Sequence, residues 1–426
     1  VYDWASSTFS TTVVAVFLGP YLTDVAKSAA DGQGYVHLLG VPVRATAFFT
    51  AVVFISVAIQ VGLLPVVGAL ADRAQSKRLL LGVFAYVGAG ATAALFLVRD
   101  GRFLLGGLLF VVANFCLGAS VVVYNAFLPE IADADERDGV SSRGWAIGYL
   151  GGAVLLLANL VLYSGRARFG LTDAEAARIC LASAGIWWAL FTVVPLVLLR
   201  DRPPVRAPGA APPRTAVSQL AVTVRGMRRY PQTLLFLGAF LLYNDGIQAA
   251  ISFAATYGSE ELRLGQTTLI VAILVVQVIG FGGGLLLGRV AGRVGALRTV
   301  LGTLVVWTLV IGAAAILPAG SAVLFLLLAA AIGFVLGGSQ ALSRSLFSQL
   351  IPTGREAEYF GIYEISDEAT SAFGALLIFV TLQTTGSYRL AIAALVVFFV
   401  LGFLLLRRVD LDAGIRAVGN ELPEVL

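Results

Sequence analysis

Gly68-Ala69-Leu70-Ala71-Asp72-Arg73-Ala74-Gln75-Ser76-Lys77-Arg78-Leu79-Leu80-Leu81-Gly82 is the stretch on which the fold turns. It is a short polar bridge between two apolar runs, near 45–70 and 79–98. Moved 220 residues along the chain it falls on Gly288 to Gly302, which again joins two apolar runs, 266–288 and 298–317. Six of the fifteen positions are identical: Gly68/Gly288, Ala71/Ala291, Arg73/Arg293, Arg78/Arg298, Leu81/Leu301 and Gly82/Gly302. Identity at equivalent places in both halves reads as a duplication. A doubled set of helical spans, with a site near the midplane, is the build of alternating-access carriers.

Composition says what surrounds those spans. Of 426 residues, 58% are apolar and 13% charged, where a water-soluble chain carries about 25% charged residues. The mean hydropathy is +0.90. These values exclude a soluble globular enzyme, a disordered chain and a nucleic-acid binder. A helix crosses a hydrocarbon core of about 30 Å with about 20 apolar residues, and its backbone groups bond within the segment. Twelve such spans lie near 4–25, 45–70, 79–98, 103–128, 144–164, 178–199, 232–256, 266–288, 298–317, 321–349, 358–383 and 387–406. Strand-type alternation is absent, which excludes a β-barrel. The fold class expected is an all-α polytopic membrane protein, two pseudo-symmetric six-helix bundles. The single histidine, His37, is expected on the surface of the first outer loop, and Cys116 and Cys180 lie in apolar runs. Neither a metal site, a cofactor nor a disulfide framework is expected.

The expected organisation is an N-terminal bundle at 1–199, a basic Pro-rich linker at 200–231, a C-terminal bundle at 232–408 and a tail at 409–426. The chain opens on Val1, and a short preceding piece is expected. With the N-terminus inside, twenty of the 29 Lys and Arg fall on the inner side and nine on the outer. That bias predicts both termini in the cytoplasm. The pI of 9.1 then reflects topology and contact with anionic headgroups, with no nucleic-acid partner.

The bridge motif, Gly68, Asp72, Arg73, Lys77 and Arg78, resembles the loop between helices two and three of the major facilitator superfamily. Other stretches resemble a narrower group, the vacuole-effluxer-like (unknown major facilitator) family. They are residues 2–7, opening on Tyr2-Asp3-Trp4; 142–152, holding Trp145 and Tyr149; Asn244-Asp245-Gly246; 337–345; and Phe360-Gly361-Ile362-Tyr363. The likeness covers nearly the whole chain. It implies a transporter, and in fungal relatives the export of neutral amino acids from a storage compartment. It also implies a cytoplasmic gate in which Asp72 sits near the N-terminus of span eleven with Arg73 paired nearby; Gly68, Arg78, Glu130 and Arg143 are counted with it. Asp367-Glu368-Ala369-Thr370-Ser371 departs from the family's Gly-Lys-Ala-Ser/Thr-Ser pattern by putting acids where a cation is usual.

Ionisable groups within a span cost several kcal/mol unless paired or wetted. Span seven carries Asn244, Asp245 and Gln248, with Asn244 and Gln248 on one face. Asp245 is expected near mid-membrane, as a cavity carboxylate for a substrate ammonium or a proton, or as one held permanently by an Arg or by helix-end amides. Span ten carries Gln340 and Arg344 on one face. The planar fork of Arg344 suits a carboxylate; snorkelling, or pairing with an acid of span eleven, are the alternatives. Glu364, Asp367 and Glu368 share a face of span eleven, and suit proton coupling or a wet vestibule. Asn125, Tyr124 and Ser7 are expected opposite Asp245 and Asn244. The intramembrane glycines are read as packing residues, and the tryptophans as packing or interface anchors.

The reading is a secondary active transporter, not an enzyme, moving a small polar organic solute with amino acids as the leading class. Proton coupling is expected through Asp245 or the span-eleven acids. The alternatives are export of amphipathic drugs or lipids, and a receptor on the carrier fold. The expected partners are a small-molecule substrate, the lipid bilayer and a proton; a monomer in the plasma (inner) membrane is expected.

Overall fold

The computed structural model describes residues 1–425 apart from 39, 100, 202–222 and 369–370; of 266, 367, 368, 371 and 372 it describes the backbone alone. Ten long helices come first: α1 (Tyr2–Ser28), α2 (Ala45–Ala71), α3 (Lys77–Leu97), α4 (Phe103–Ile131), α5 (Arg137–Ser164), α6 (Asp173–Leu198), α7 (Pro231–Glu261), α8 (Thr267–Val294), α9 (Ala296–Ala315) and α10 (Ala322–Gln349). The eleventh expected span runs as α11 (Glu356–Glu368) and α12 (Ser371–Thr385), on either side of 369–370. α13 (Tyr388–Leu406) is the twelfth, and α14 (Leu411–Val418) lies in the tail. Among the described residues, eleven helices are long and apolar enough to cross a membrane, and Phe373–Thr385 is a shorter apolar helix. Most of the expected linker, 202–222, lies outside the described residues.

Two spans begin earlier than the apolar runs suggest, at Arg137 and Asp173 rather than near 144 and 178. Their polar first turns bury little, so hydropathy misses them. The second is held by a cap: Thr172 Oγ1 accepts from the Glu175 amide at 3.2 Å, and the Glu175 carboxylate accepts from the Thr172 amide at 2.9 Å. This reciprocal box satisfies amides that no preceding turn can reach. The absence of strands also has an exception. In the first outer loop, β1 (Tyr35–Leu38) pairs antiparallel with β2 (Val41–Arg44), Val36 opposite Val43. Asp31 starts it by accepting from the Gln33 and Tyr35 amides at 3.0 and 2.9 Å. His37 is exposed on this hairpin, as expected.

The chain divides into two compact units. The first comprises residues 1–64, 74–124 and the described part of 150–203. Its core gathers Tyr2, Phe9, Phe48, Phe110 and Trp188, all buried. Tyr2 donates to Ser120 Oγ at 2.6 Å and accepts from the Trp188 indole at 3.1 Å. Within α1, Phe9–Phe17 winds as a π-helix. The second unit comprises 65–73, 125–149 and the described part of 204–426. Its core stacks Phe240 on Tyr363 with ring centres 4.2 Å apart, and Trp307 on Phe399 at 5.4 Å. Large apolar side chains such as Leu309 and Ile316 point outward, the pattern of a lipid-facing wall.

Small residues let helices α8 and α10 touch backbone to backbone. A Cβ on Gly283 would lie 2.2 Å from the Phe334 carbonyl oxygen, and one on Gly337 would lie 2.7 Å from that of Gly280. Dispersion at such range is the main adhesive between spans, since lipid is as apolar as leucine.

Candidate functional site

In the second unit, the last half of α10 is polar and wholly buried: Ser339, Gln340, Ser343, Arg344, Ser345 and Ser348 all lie inside. The helix places Gln340 and Arg344 one turn apart on one face. Gln340 Nε2 donates to Asn244 Oδ1 at 2.8 Å, tying α10 to α7. Tyr243, beside it, shares a 2.5 Å hydrogen bond with Ser343 Oγ. One turn further on, Arg344 donates from Nε to Ser141 Oγ at 2.9 Å, from Nη2 to Ser141 O at 3.1 Å and from Nη1 to Asn125 Oδ1 at 3.2 Å. Its guanidinium lies 5.7 Å over the Trp145 ring, within cation–π range. Ser141 Oγ in turn donates to Ala341 O at 2.6 Å. These contacts, among others, fix the direction of a planar fork of donors. A guanidinium held in one direction presents the planar geometry that a carboxylate can meet with two hydrogen bonds.

Asp245 is placed close to the middle of α7 and is fully buried. Although it follows Asn244 in sequence, the helix turns it about 100° away, toward α12. There Gly374 leaves room: a Cβ on it would sit 3.4 Å from Asp245 Oδ2. Among the described residues, neither carboxylate oxygen has a hydrogen-bond partner. Asp245 therefore occupies a different side of α7 from the Asn244–Gln340 pair. Gln248 is half-buried on α7, and Glu364 is buried on α11. The side chains of Asp367 and Glu368 lie outside the described residues.

The bridge motif is bound at atomic detail. Asp72 Oδ1 accepts from the Ala357 amide at 2.8 Å and Oδ2 from the Glu358 amide at 2.9 Å. Both are free amides of the first turn of α11, where the helix dipole also favours an anion. Gly68 makes the approach possible, since a Cβ there would lie 2.2 Å from Ala357 O. Glu358 is held from the other side by Arg355, at 2.8 Å, and by the Thr223 hydroxyl. Glu130 is half-buried on α4, whereas Arg73 and Arg143 are exposed.

The remaining expected residues lie in the first unit. Tyr124 donates to Asp3 at 2.9 Å, and the Ser7 carbonyl accepts from Thr11 at 3.0 Å. Arg78 engages Asp201: their side chains lie 3.7 Å apart, and the Arg78 amide donates to the carboxylate at 2.9 Å. Asp201 also accepts from Ser76 at 2.6 Å. Sequence reasoning missed Asp201, which it read as linker, and Ser141. Ser141 stands four residues before Trp145, and that shared face was the signal available. Among the described residues no group of His, Cys, Asp and Glu side chains is arranged to hold a metal.

The sequence pattern of the Atg22-like vacuole effluxers matches residues 1–419. The chain belongs to that family. It is 28% identical to the MFS-type transporter YxiO of Bacillus subtilis (strain 168), over 99% of this chain and 97% of that one. It is also 28% identical to autophagy-related protein 22 of Pyricularia oryzae, over 93% of this chain and 69% of that one. Among solved structures it resembles the transporter FucP in its outward conformation, with a TM-score of 0.66 at 11% identity, covering 96% of this chain and 98% of that one. The proton:xylose symporter XylE gives 0.68 at 14% identity, covering 96% and 94%. At these identities the likeness speaks for the fold, which is the twelve-helix major facilitator fold. The Atg22-like chain is accordingly an integral multi-pass membrane transporter and not an enzyme.

Proposed function

We propose that this transporter moves a small zwitterionic solute, an amino acid or a close analogue, by alternating access of the halves 1–199 and 232–408. The buried Arg344 carries the reading. A cation in the bilayer interior costs several kcal/mol, and here it is held by Ser141 and Asn125 with its fork oriented. In this reading a substrate carboxylate takes the fork, while Asn244 and Gln340 bind the polar body. Asp245, buried by α12, exchanges a proton during the cycle, and Glu364 relays it. Only differential binding to two states can drive the change, so the proton must be held more tightly in one of them. The protein resides in the cell's inner membrane with both termini in the cytoplasm.

Proteoliposome flux tests this. Reconstituted protein should accumulate labelled neutral amino acids when an inward pH gradient is imposed, and collapse of the gradient should abolish accumulation. Asp245→Asn should lose gradient-driven accumulation but keep exchange of substrate for substrate. Accumulation that survives without a gradient would remove the proton, and binding of sugars or amines in preference to amino acids would remove the carboxylate.

A further inference from the structure

At the end of the second unit where α9 begins and α13 finishes lies a cavity of about 450 Å³. Arg298 lines it from the first turn of α9, and Arg407 and Arg408 line it from the end of α13. All three are exposed, and their guanidinium groups make no hydrogen bond or ion pair among the described residues. Two acids share the lining, Asp410 and Asp412. Each is engaged elsewhere: Asp410 caps α14 by accepting from the Ala413 amide at 3.0 Å, and Asp412 pairs with Arg416 at 2.9 Å.

A fourth source of positive potential is the start of α9 itself. Val294 and Ala296 are separated by one residue, Gly295, at φ 94° and ψ 145°. Such a backbone admits glycine readily, and glycine has no side chain to cap the helix. The first amides of α9, including those of Leu297 and Arg298, therefore lack a side-chain acceptor. Uncapped amides and the dipole make a helix start attractive to anions. Beyond the cavity, α9 shows Val305 and Leu309 outward and α13 shows Leu401 and Leu404 outward. Charge thus sits at the head of an apolar wall.

We propose that this cavity is a binding site for a phosphate group, carried there by an anionic phospholipid. The three arginines and the α9 amides take the phosphate oxygens, and the acyl chains run along α9 and α13. Positive residues at this side of a membrane protein serve topology as well, but topology needs only their presence, not their convergence on one cavity beside an uncapped helix.

The test uses the full chain in a neutral detergent, with bound lipid counted by native mass spectrometry. Phosphatidylglycerol should be retained in preference to phosphatidylcholine. Replacing the arginines singly by glutamine (R298Q, R407Q, R408Q) should weaken retention about fivefold each, and the triple variant on the order of a hundredfold. A control triple at the exposed Arg225, Arg228 and Arg229 should leave retention unchanged. Soluble glycerol 3-phosphate forms the second arm: failure to displace the lipid at millimolar concentration supports a lipid carrier. If it displaces the lipid and alone raises the melting temperature, the phosphate site stands and the lipid assignment falls. Retention by the arginine triple equal to that of the unaltered protein overturns the site, as does equal loss in the control triple.

Discussion

Gly68 should be the most sensitive small residue of the bridge motif. A methyl group added there would meet Ala357 O at 2.2 Å, Ala357 C at 2.7 Å and Glu358 Cα at 2.8 Å. These are backbone atoms of the α11 start, so no rotamer change relieves the clash. Taking ordinary contact as roughly 3.4 Å, α11 must retreat by about 1 Å. The Asp72 hydrogen bonds, at 2.8 and 2.9 Å, would then stretch to roughly 3.8 Å, beyond bonding range. Hydrogen bonds to a charged group are worth about 1.5–3 kcal/mol each, and overpacking costs about 1–3 kcal/mol. Replacing a helical glycine by alanine returns about 1 kcal/mol in propensity, and tilting recovers part of the rest. The expected net loss for Gly68→Ala is about 3 kcal/mol, on the order of a hundredfold in the local opening equilibrium.

Hydrogen–deuterium exchange reads that opening directly, because the Ala357 and Glu358 amides are the donors. Exchange in a peptide spanning 355–365 should rise about a hundredfold in Gly68→Ala. It should rise about tenfold in Asp72→Asn, which keeps one acceptor oxygen but loses the charge. The double variant should match Gly68→Ala alone, since both act through one contact. Unchanged exchange in Gly68→Ala, or additive effects in the double variant, would refute the reasoning.

The copied position behaves differently. A methyl on Gly288 would meet the Ser142 side chain, Cβ at 2.5 Å and Oγ at 2.7 Å, so Gly288→Ala should cost about 1–3 kcal/mol of thermal stability and be rescued by Ser142→Gly; no rescue would mean the contact is misjudged. Arg344→Lys should keep the charge but lose the fork, lowering transport of carboxylate-bearing solutes by about tenfold or more; wild-type flux would place the carboxylate elsewhere. Asp201→Ala removes acceptors from Ser76 and Arg78 and should cost about 1–2 kcal/mol, read as a lower melting temperature, where a loose surface pair would cost almost nothing. The amides of Tyr35 and Gln33 hold the Asp31 carboxyl below the usual range, so its support of the hairpin is present above the ordinary carboxylate pKa and is lost as pH falls through the lowered value. Exchange at those two amides should therefore accelerate in acid relative to Asp31→Asn, and parallel pH profiles in the two proteins would sink the assignment.

Span positions were legible because the bilayer imposes a long apolar window, and α2, α4 and α10 begin and end within a few residues of their apolar runs. What the window could not see is polar helix, such as the first turns of α5 and α6, the latter held by a capping box in place of burial. The hairpin escaped for a related reason: eight strand residues held by an Asx turn leave no long alternation to detect. At the site, residue types were legible but directions were not. Asn244 and Asp245 are neighbours in sequence and were both assigned to the substrate site, yet the helical turn sends the first to Gln340 and leaves the second facing Gly374. Ser141 offered only the helix face it shares with Trp145, four residues on, because a serine by itself carries no signature until the packing brings a charge to it.

The duplicated motif shows where the two copies have parted. In the first, Gly68 admits the backbone of α11 and Asp72 binds its free amides, so the contact is charged and directional. In the second, Gly288 admits Ser142 of α5, but the residue at the place of Asp72 is Gly292, which has no carboxylate to offer. Separating the first contact breaks two charge-assisted hydrogen bonds; separating the second loses van der Waals contact, a smaller and non-directional term. α5 already carries Asp138 in its own first turn, which meets part of the dipole's demand locally. A six-in-fifteen identity therefore preserves the close approach of helices in both halves, while the electrostatic hold is confined to one. That inequality lets changes at Asp72 or its partners bias one contact without disturbing its copy.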